Sequence, residues 1–163
     1  QIELPLAARS IGQGDVTATP LGIATLLAPV VAGGLMPVPR VERGRAMERR
    51  RVLDTAAADR LRAALHEVVL RGTASRAFSD HPQRELLLGK TGSAQRVDAD
   101  GVSRTDAWFV GAVVPPVGVE GRPVVIVAVV PGGGLGGRLA AEVVDALSRD
   151  LILQRGWDTP PSS

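Results

Sequence analysis

The spacing of apolar residues predicts a first helix in the N-terminal part of the chain. Thr19-Pro20 offers a capping hydroxyl followed by a proline at the first helical position, and the apolar stretch Leu21 to Val31 leads to a Gly33-Gly34 stop. Pro29 lies inside this stretch and predicts a kink or an early end, because proline lacks the N–H that an inner helical turn needs.

Two further helices are expected, each with an apolar stripe of the kind that faces a core. Asp54 or Thr55 can cap the first of them, and Gly72 ends it. The last helix covers about residues 139–153. The stripes are Leu61, Leu65, Val68 and Val69 in the former, and Leu139, Val143, Leu147 and Leu151 in the latter.

Three runs between these helices have the composition of β-strands, at residues 86–93, 105–114 and 124–130. Short polar connections at residues 98–101 and 118–123 are typical of antiparallel neighbours. The pattern predicts an α+β fold, in which a three-strand antiparallel meander is flanked by helices.

Two parts of the chain fit this sheet less simply. The run 124–130 is apolar on both faces, although the chain offers it one obvious neighbour, and an exposed edge of that composition promotes aggregation. We therefore expect strands from elsewhere to complete the sheet. Residues 36–51 mix prolines with basic residues, which is typical of a surface loop or a short strand.

Composition excludes several classes of site. A length of 163 residues suits one domain, and the absence of cysteine removes thiol nucleophiles, disulfides and cysteine metal sites. Aromatic residues make up 2% of the chain, so the stacking side chains of single-stranded nucleic-acid sites are nearly missing. No apolar run is long enough for a transmembrane helix, and residues 1–9 do not resemble a signal peptide.

The most informative stretch is Gly89 to Gln95. It contains Lys90, the only lysine among 19 basic residues, followed by the hydroxyls of Thr91 and Ser93. Such a strand end can hold a carboxylate by charge and hydroxyl donors, or it can be a solvated turn. A phosphate-binding loop would need glycine where Arg84 stands, so that interpretation is weak.

Other patterns have simpler interpretations. Gly132, Gly134 and Gly137 match G-x-G-x-x-G, but no strand follows the next helix, so a flexible turn is expected. Ser79-Asp80-His81 is interpreted as a polar loop, since three consecutive residues cannot converge on one reacting carbon. Structural roles are also expected for His66, for the basic cluster Arg40, Arg43, Arg45 and Arg49–Arg51, and for Trp108 and Phe109 as core and sheet-surface residues.

Several segments, taken in order, resemble the C-terminal half of a penicillin-binding protein transpeptidase domain, particularly of the class B type. They are S-I-G-Q-G at residues 10–14, T-A-T-P-L at 17–21, G-G at 33–34, G-T-A at 72–74, K-T-G-S-A-Q at 90–95 and D-A-W-F-V-G at 106–111. The resemblance spans roughly residues 8–152. It implies the C-terminal part of a β-lactamase/transpeptidase-like fold over residues 1–155. The Pro/Ser-rich composition of residues 156–163 predicts a disordered tail.

The resemblance also implies a role for each residue of the K-T-G strand. Lys90, Thr91 and Ser93 would hold the terminal carboxylate of a D-Ala-D-Ala stem peptide or of a β-lactam. The backbone N–H of Ser93 would be one of two oxyanion-hole donors. Gly92 would let the acyl group pass close to the strand, and the substrate would lie along Lys90 to Ala94 as an added strand.

Two motifs of the family are missing from the sequence. An S-x-x-K, which carries the nucleophilic serine and its lysine base, is absent because Leu87 stands three residues before the only lysine. An S-x-N is absent because the chain has no asparagine. The chain alone is therefore expected to be inactive and to require the N-terminal part of the same domain.

The function implied is part of a peptidoglycan D,D-transpeptidase, which cross-links stem peptides through a serine acyl-enzyme and is the target of β-lactams. The mechanism needs no metal or organic cofactor, and no nucleic-acid partner is expected. The expected location is the extracytoplasmic face of the bacterial inner membrane, with an anchor outside this chain and a membrane glycosyltransferase as a candidate partner. Two alternatives stay open: a non-catalytic peptide-binding or assembly module, and a basic module that binds an anionic polymer through residues 40–51.

Overall fold

The computed structural model describes residues 3–14, 16–41 and 47–158. Within these residues the helices are α1 (Glu3–Ser10), α2 (Pro20–Val31), α3 (Thr55–Leu70) and α4 (Leu139–Arg155). The strands are β1 (Leu35–Pro37), β2 (Arg49–Arg51), β3 (Leu87–Val97), β4 (Ser103–Val113) and β5 (Val124–Val130). The spacing of apolar residues did not predict α1, which is a two-turn helix at the N-terminus.

The main sheet has the order β3-β4-β5, and both pairs are antiparallel. Lys90 stands opposite Val110, and Gly111 stands opposite Ile126. This arrangement confirms the predicted α+β fold and its meander. In the part of the chain described, β3 and β5 are the two edges of the sheet, and β1 and β2 form a separate hairpin.

Helices cover both faces of the sheet, because successive residues of a strand point to opposite sides. One core cluster joins α4 and the end of α3 to the face that carries Leu87 and Phe109. A second cluster joins Leu27 and Val30 of α2 to the opposite face, where Leu88 is buried. The chain thus builds two apolar layers that hold β3 and β4 in place.

The predicted start of α2 is confirmed, whereas its early end is not. The Thr19 hydroxyl accepts a hydrogen bond from the Gly22 N–H at 3.0 Å, and Pro20 is the first helical residue. Pro29 is buried inside the helix, which continues to Val31. A proline in the last turn removes only one helical hydrogen bond, so the helix tolerates it there.

Helix α3 begins where the sequence predicts, and Leu65, Val68 and Val69 of the predicted stripe pack against the two core clusters. The Asp54 carboxylate caps it by accepting a hydrogen bond from the Ala57 N–H at 2.7 Å. Ala58 and Val69 are buried, whereas Leu61, a member of the expected stripe, is 45% exposed. Gly72 follows the helix and lies so close to Val68 that a side chain there would collide with it.

The predicted core stripe of α4 is wrong for three of its four residues, and only Leu151 packs against the core. Leu139, Val143 and Leu147 are 39–49% exposed, while the buried face consists of Ala140, Ala141, Val144, Ser148 and Ile152. Two neighbouring stripes of this helix are apolar, and the sheet packs against the one with smaller residues. A small face lets the helix approach the sheet more closely and leaves fewer voids.

The structure corrects the expectation of a tail that starts at residue 156. Gly156 ends α4 in a left-handed conformation, and the Trp157 N–H donates to the Ile152 carbonyl at 3.0 Å. The Trp157 side chain is 3% exposed and belongs to the core. Fraying from residue 156 is therefore wrong for Trp157, and residues 159–163 lie outside the described residues.

Candidate functional site

The K-T-G segment occupies the middle of β3, at a free edge of the sheet. Lys90 and Gly92, together with Trp108, line a groove of about 290 Å³ beneath the loop that joins α1 to α2. Thr91 and Ser93 also border a second cavity of about 640 Å³, beside the segment that follows α3 and the start of α4. The strand thus separates two cavities, one on each face of the sheet.

Polar groups of the strand already have partners. The Lys90 Nζ donates to the Thr91 carbonyl at 2.8 Å, and the Lys90 side chain is exposed. The hydroxyls of Thr91 and Thr73 lie 2.8 Å apart, which ties β3 to the segment after α3. The Ser93 carbonyl accepts a hydrogen bond from the Gln13 side chain at 2.9 Å.

Glycines shape the strand from the other side of the sheet. The ring of Phe109 is 1% exposed and lies against both Gly89 and Gly111, where an added Cβ would overlap it. The glycine that precedes Lys90 therefore has a steric explanation, because it makes room for a core ring. Trp108 points to the opposite face and lines the groove, as the alternation of the strand requires.

The loop from Gly132 to Gly137 lies across the middle of β3 and the first half of β4. The N–H groups of three alternate glycines attach the loop to the sheet. Gly132 donates to the Asp106 carboxylate at 2.7 Å and Gly134 to the Thr105 carbonyl at 2.9 Å. Gly136 donates to the Ser93 hydroxyl at 3.3 Å. A Cβ on Gly136 would overlap the backbone carbonyls of Gly92 and Trp108. The expected turn is thus present between β5 and α4, and hydrogen bonds fix it to the K-T-G strand.

Asp106 provides the charged anchor of this loop. The Gly132 N–H and the Arg96 guanidinium, at 2.8 Å, hold the pKa of its carboxyl below the ordinary value, with the Gly132 hydrogen bond as the larger cause. A carboxylate that accepts such hydrogen bonds stays ionised at neutral pH. The anchor therefore keeps its charge under physiological conditions.

His81 is not part of a polar loop. It is 4% exposed; its Nδ1 accepts the Gln83 N–H at 3.1 Å, so its Nε2 carries the proton and donates to the Ser148 hydroxyl at 3.1 Å. Burial lowers the pKa of His81, and the nearby Asp145 carboxylate opposes this only in part. Ser79 hydrogen-bonds the Arg76 carbonyl instead, so these residues form no nucleophilic site.

The other candidates lie away from β3. His66 is half-buried on α3, and its Nε2 has no hydrogen-bond partner in the described part of the chain. Arg49–Arg51 form the exposed β2, where the Arg51 guanidinium donates to the Gly33 and Leu53 carbonyls. Arg43 and Arg45 lie outside the described residues.

Three residues of the site were not singled out by their chemistry in the sequence: Gln13, Thr73 and Gly136. Apolar spacing carries no signal for them, because each acts through one polar contact with a distant part of the chain. Gln13 and Thr73 do lie in the S-I-G-Q-G and G-T-A segments. The order of those segments was the available signal.

Two kinds of site are absent within residues 3–14, 16–41 and 47–158. No group of three or more His, Cys, Asp or Glu side chains is arranged to hold a metal ion. Nor does any helix in these ranges combine the length and apolar character needed to cross a membrane.

Solved structures similar to this chain share its fold. They include a peptidoglycan glycosyltransferase from Burkholderia ambifaria, with 23% sequence identity and a TM-score of 0.65. The matched region covers 90% of this chain and 43% of that one. The TP domain of penicillin-binding protein 3 from Burkholderia pseudomallei has 24% identity and a TM-score of 0.65, and the match covers 90% of this chain and 44% of that one. Penicillin-binding protein 2B from Streptococcus pneumoniae has 20% identity and a TM-score of 0.56, and the match covers 89% of this chain and 25% of that one.

This chain therefore spans less than half the length of those three proteins. No curated protein matches it. The sequence model of the family described as "Penicillin binding protein transpeptidase domain" matches residues 4–149. That match covers most of the chain and confirms the resemblance carried by the ordered motifs, so the chain belongs to the penicillin-binding protein transpeptidase domain family.

Proposed function

We propose that this chain provides the substrate-binding strand of a peptidoglycan D,D-transpeptidase. The complete enzyme would form a serine acyl-enzyme with a stem peptide and release D-alanine. It would then pass the acyl group to an amine of a neighbouring peptidoglycan strand. β-Lactams would acylate the same serine. Both steps would occur outside the cytoplasmic membrane, as is typical of this family.

The observation that carries the proposal is the chemistry collected at the free edge of β3. The only lysine of the chain lies there, exposed, beside the hydroxyls of Thr91 and Ser93. The ammonium and the two hydroxyls flank this edge from opposite faces of the sheet, and a peptide carboxylate bound there would be held by charge-assisted hydrogen bonds, which are the strongest that side chains make. Each hydroxyl is oriented by a partner, Thr91 by Thr73 and Ser93 by Gly136.

The backbone of the strand supports the same proposal. The Ser93 carbonyl is directed to the free edge, where Gln13 reaches it. In an antiparallel strand the N–H of the same residue faces the same edge, so the Ser93 N–H is available as an oxyanion donor. A peptide added beside Lys90 to Ala94 would place its carbonyl groups near that donor.

The missing nucleophile limits what these residues do alone. The printed sequence contains neither S-x-x-K nor S-x-N, so we propose that the chain binds peptide without cleaving it. A polypeptide that joins it to an S-x-x-K segment would supply the attacking serine and the second oxyanion donor. Lys90 would then add positive charge beside that serine.

Intact mass under denaturing conditions, measured with and without excess penicillin, tests the proposal. We expect the 163-residue chain to stay at 17.0 kDa, and the polypeptide that also contains S-x-x-K to gain the mass of one penicillin. In that polypeptide Lys90→Ala should slow acylation, whereas Arg60→Ala, which removes an exposed charge from α3, should not. A penicillin adduct on the 163 residues alone, or equal rates for both variants, would contradict the proposal.

A further inference from the structure

The side chain of Gln13 pairs with the free edge of β3. Its Nε2 donates to the Ser93 carbonyl at 2.9 Å, and its Oε1 accepts from the Gln95 N–H at 3.4 Å. A carboxamide carries a donor and an acceptor, as a peptide group does. Gln13 therefore makes the contacts that the backbone of a neighbouring strand would make.

The main chain beneath this side chain is fixed. The Gln13 N–H donates to the Ala8 carbonyl at 2.9 Å, and the Gly12 N–H donates to the Arg9 carbonyl at 3.0 Å, both on the last turn of α1. Gly12 and Gly14 have φ values of 75° and 79°, which a residue with a side chain rarely adopts. Rotation of the side chain alone can therefore move the carboxamide on or off the strand.

The contact also blocks the edge. The Thr91 carbonyl is occupied by the Lys90 Nζ, and the Ser93 carbonyl is occupied by Gln13. These carbonyls belong to the alternate residues of β3 that face away from β4. An extended peptide needs the same groups, so it and the Gln13 carboxamide cannot pair with Ser93 in the same way at once.

We propose that Gln13 is a latch, an intramolecular stand-in for the peptide, which leaves the Ser93 carbonyl when an extended peptide pairs with β3. This inference rests on the proposed function, because it concerns the same edge. The latch keeps the polar groups of an exposed edge satisfied, which protects it from pairing with other chains. It also favours ligands whose own N–H can replace the Gln13 donor.

Titration of the 163-residue chain with N-acetyl-D-Ala-D-Ala, followed by amide chemical shifts, tests the latch. Gln13→Ala removes the competitor, and Gln13→Met keeps the length of the side chain without its carboxamide. Because one competing hydrogen bond is lost, we expect both variants to bind the peptide about threefold to tenfold more tightly. Hydrogen exchange at the Gln95 amide should also become faster in both variants without peptide.

Gln154→Ala is the matched control, since this glutamine is exposed on α4. It should change neither the affinity nor the exchange of the Gln95 amide. Equal or weaker peptide binding by the Gln13 variants, while the parent chain binds, would overturn the latch and leave the proposed function intact. If neither the parent nor the variants bind, both proposals fail.

Discussion

The hydroxyl of Thr73 lies 2.8 Å from the hydroxyl of Thr91, although the two residues are 18 positions apart. Thr73 belongs to the G-T-A segment after α3, and Thr91 is the threonine of K-T-G. The contact gives a physical reason for the two motifs to occur together. Thr73 of the G-T-A segment orients the Thr91 side chain of K-T-G, which is the one available to a ligand.

Thr73→Val should weaken peptide binding more than it weakens the fold. The isosteric change removes one partly exposed hydrogen bond, and we expect a loss of about 0.5–1 kcal/mol in the free energy of unfolding. The freed Thr91 side chain must then be ordered by the ligand, which should lower the affinity for N-acetyl-D-Ala-D-Ala about twofold to tenfold. Thermal unfolding and peptide titration measure the two effects.

Thr25→Val is the control for that change. The Thr25 hydroxyl also makes one hydrogen bond, to the Leu21 carbonyl at 2.8 Å within α2. Its removal should leave the peptide affinity unchanged. Equal affinities for the Thr73 and Thr25 variants would show that Thr91 needs no orientation.

Gly136→Ala should displace the loop that lies on β3. A methyl group there would overlap two backbone carbonyls, and overpacking of this kind destabilises a protein by about 1–3 kcal/mol. The Ser93 hydroxyl would lose its Gly136 donor, so peptide binding should fall as well. Chemical denaturation and the same titration test both expectations.

Gly118→Ala provides the comparison. Gly118 has a φ of 81° and open space around its Cβ position, so alanine there costs about 1–2 kcal/mol through backbone strain alone. The stability losses should therefore be similar, while only Gly136→Ala affects the peptide. An unchanged affinity in the Gly136 variant would separate the loop from the site.

The stability of the chain should fall as the pH drops below about 6.5, the ordinary pKa of histidine. Burial lowers the pKa of His81 in the folded state, so the unfolded chain takes up the proton first. The contribution of His81 to stability is complete above its pKa in the unfolded chain. It is lost as the pH falls towards its pKa in the folded chain. Protonation would also break the Gln83 N–H to Nδ1 hydrogen bond.

Urea denaturation between pH 7.5 and pH 5 measures this dependence. His81→Gln should flatten the profile, because glutamine does not titrate, whereas His66→Gln should keep the fall caused by His81. A parent chain whose stability is constant over that range would contradict the buried neutral histidine.

Much of the fold could be predicted because its signals are local. The Thr19 and Asp54 caps, the three strands and the turn at residues 98–101 each depend on neighbours in sequence. The buried face of α4 could not be predicted, since the sheet decides which of two apolar stripes it contacts. Trp157 likewise becomes part of the core only because α4 returns to the sheet.

The site divides in the same way. The chemistry of Lys90, Thr91 and Ser93 is visible in the sequence as a lone lysine beside two hydroxyls. The Gln13 contact joins residues 80 positions apart, and the Gly136 contact spans 43 positions. No local pattern encodes such contacts, and only the family resemblance indicated that their segments belong together.

The account depends most directly on recognition of a carboxylate by the K-T-G strand. The decisive measurement is the affinity of the 163-residue chain for N-acetyl-D-Ala-D-Ala and for the same peptide with a C-terminal amide. We predict saturable shifts along β3 for the acid, a loss of about tenfold or more for the amide, and the same loss for the acid in Lys90→Ala, since charge-assisted hydrogen bonds contribute about 1.5–3 kcal/mol. Equal affinity for acid and amide, or shifts confined to residues away from β3, would contradict the account.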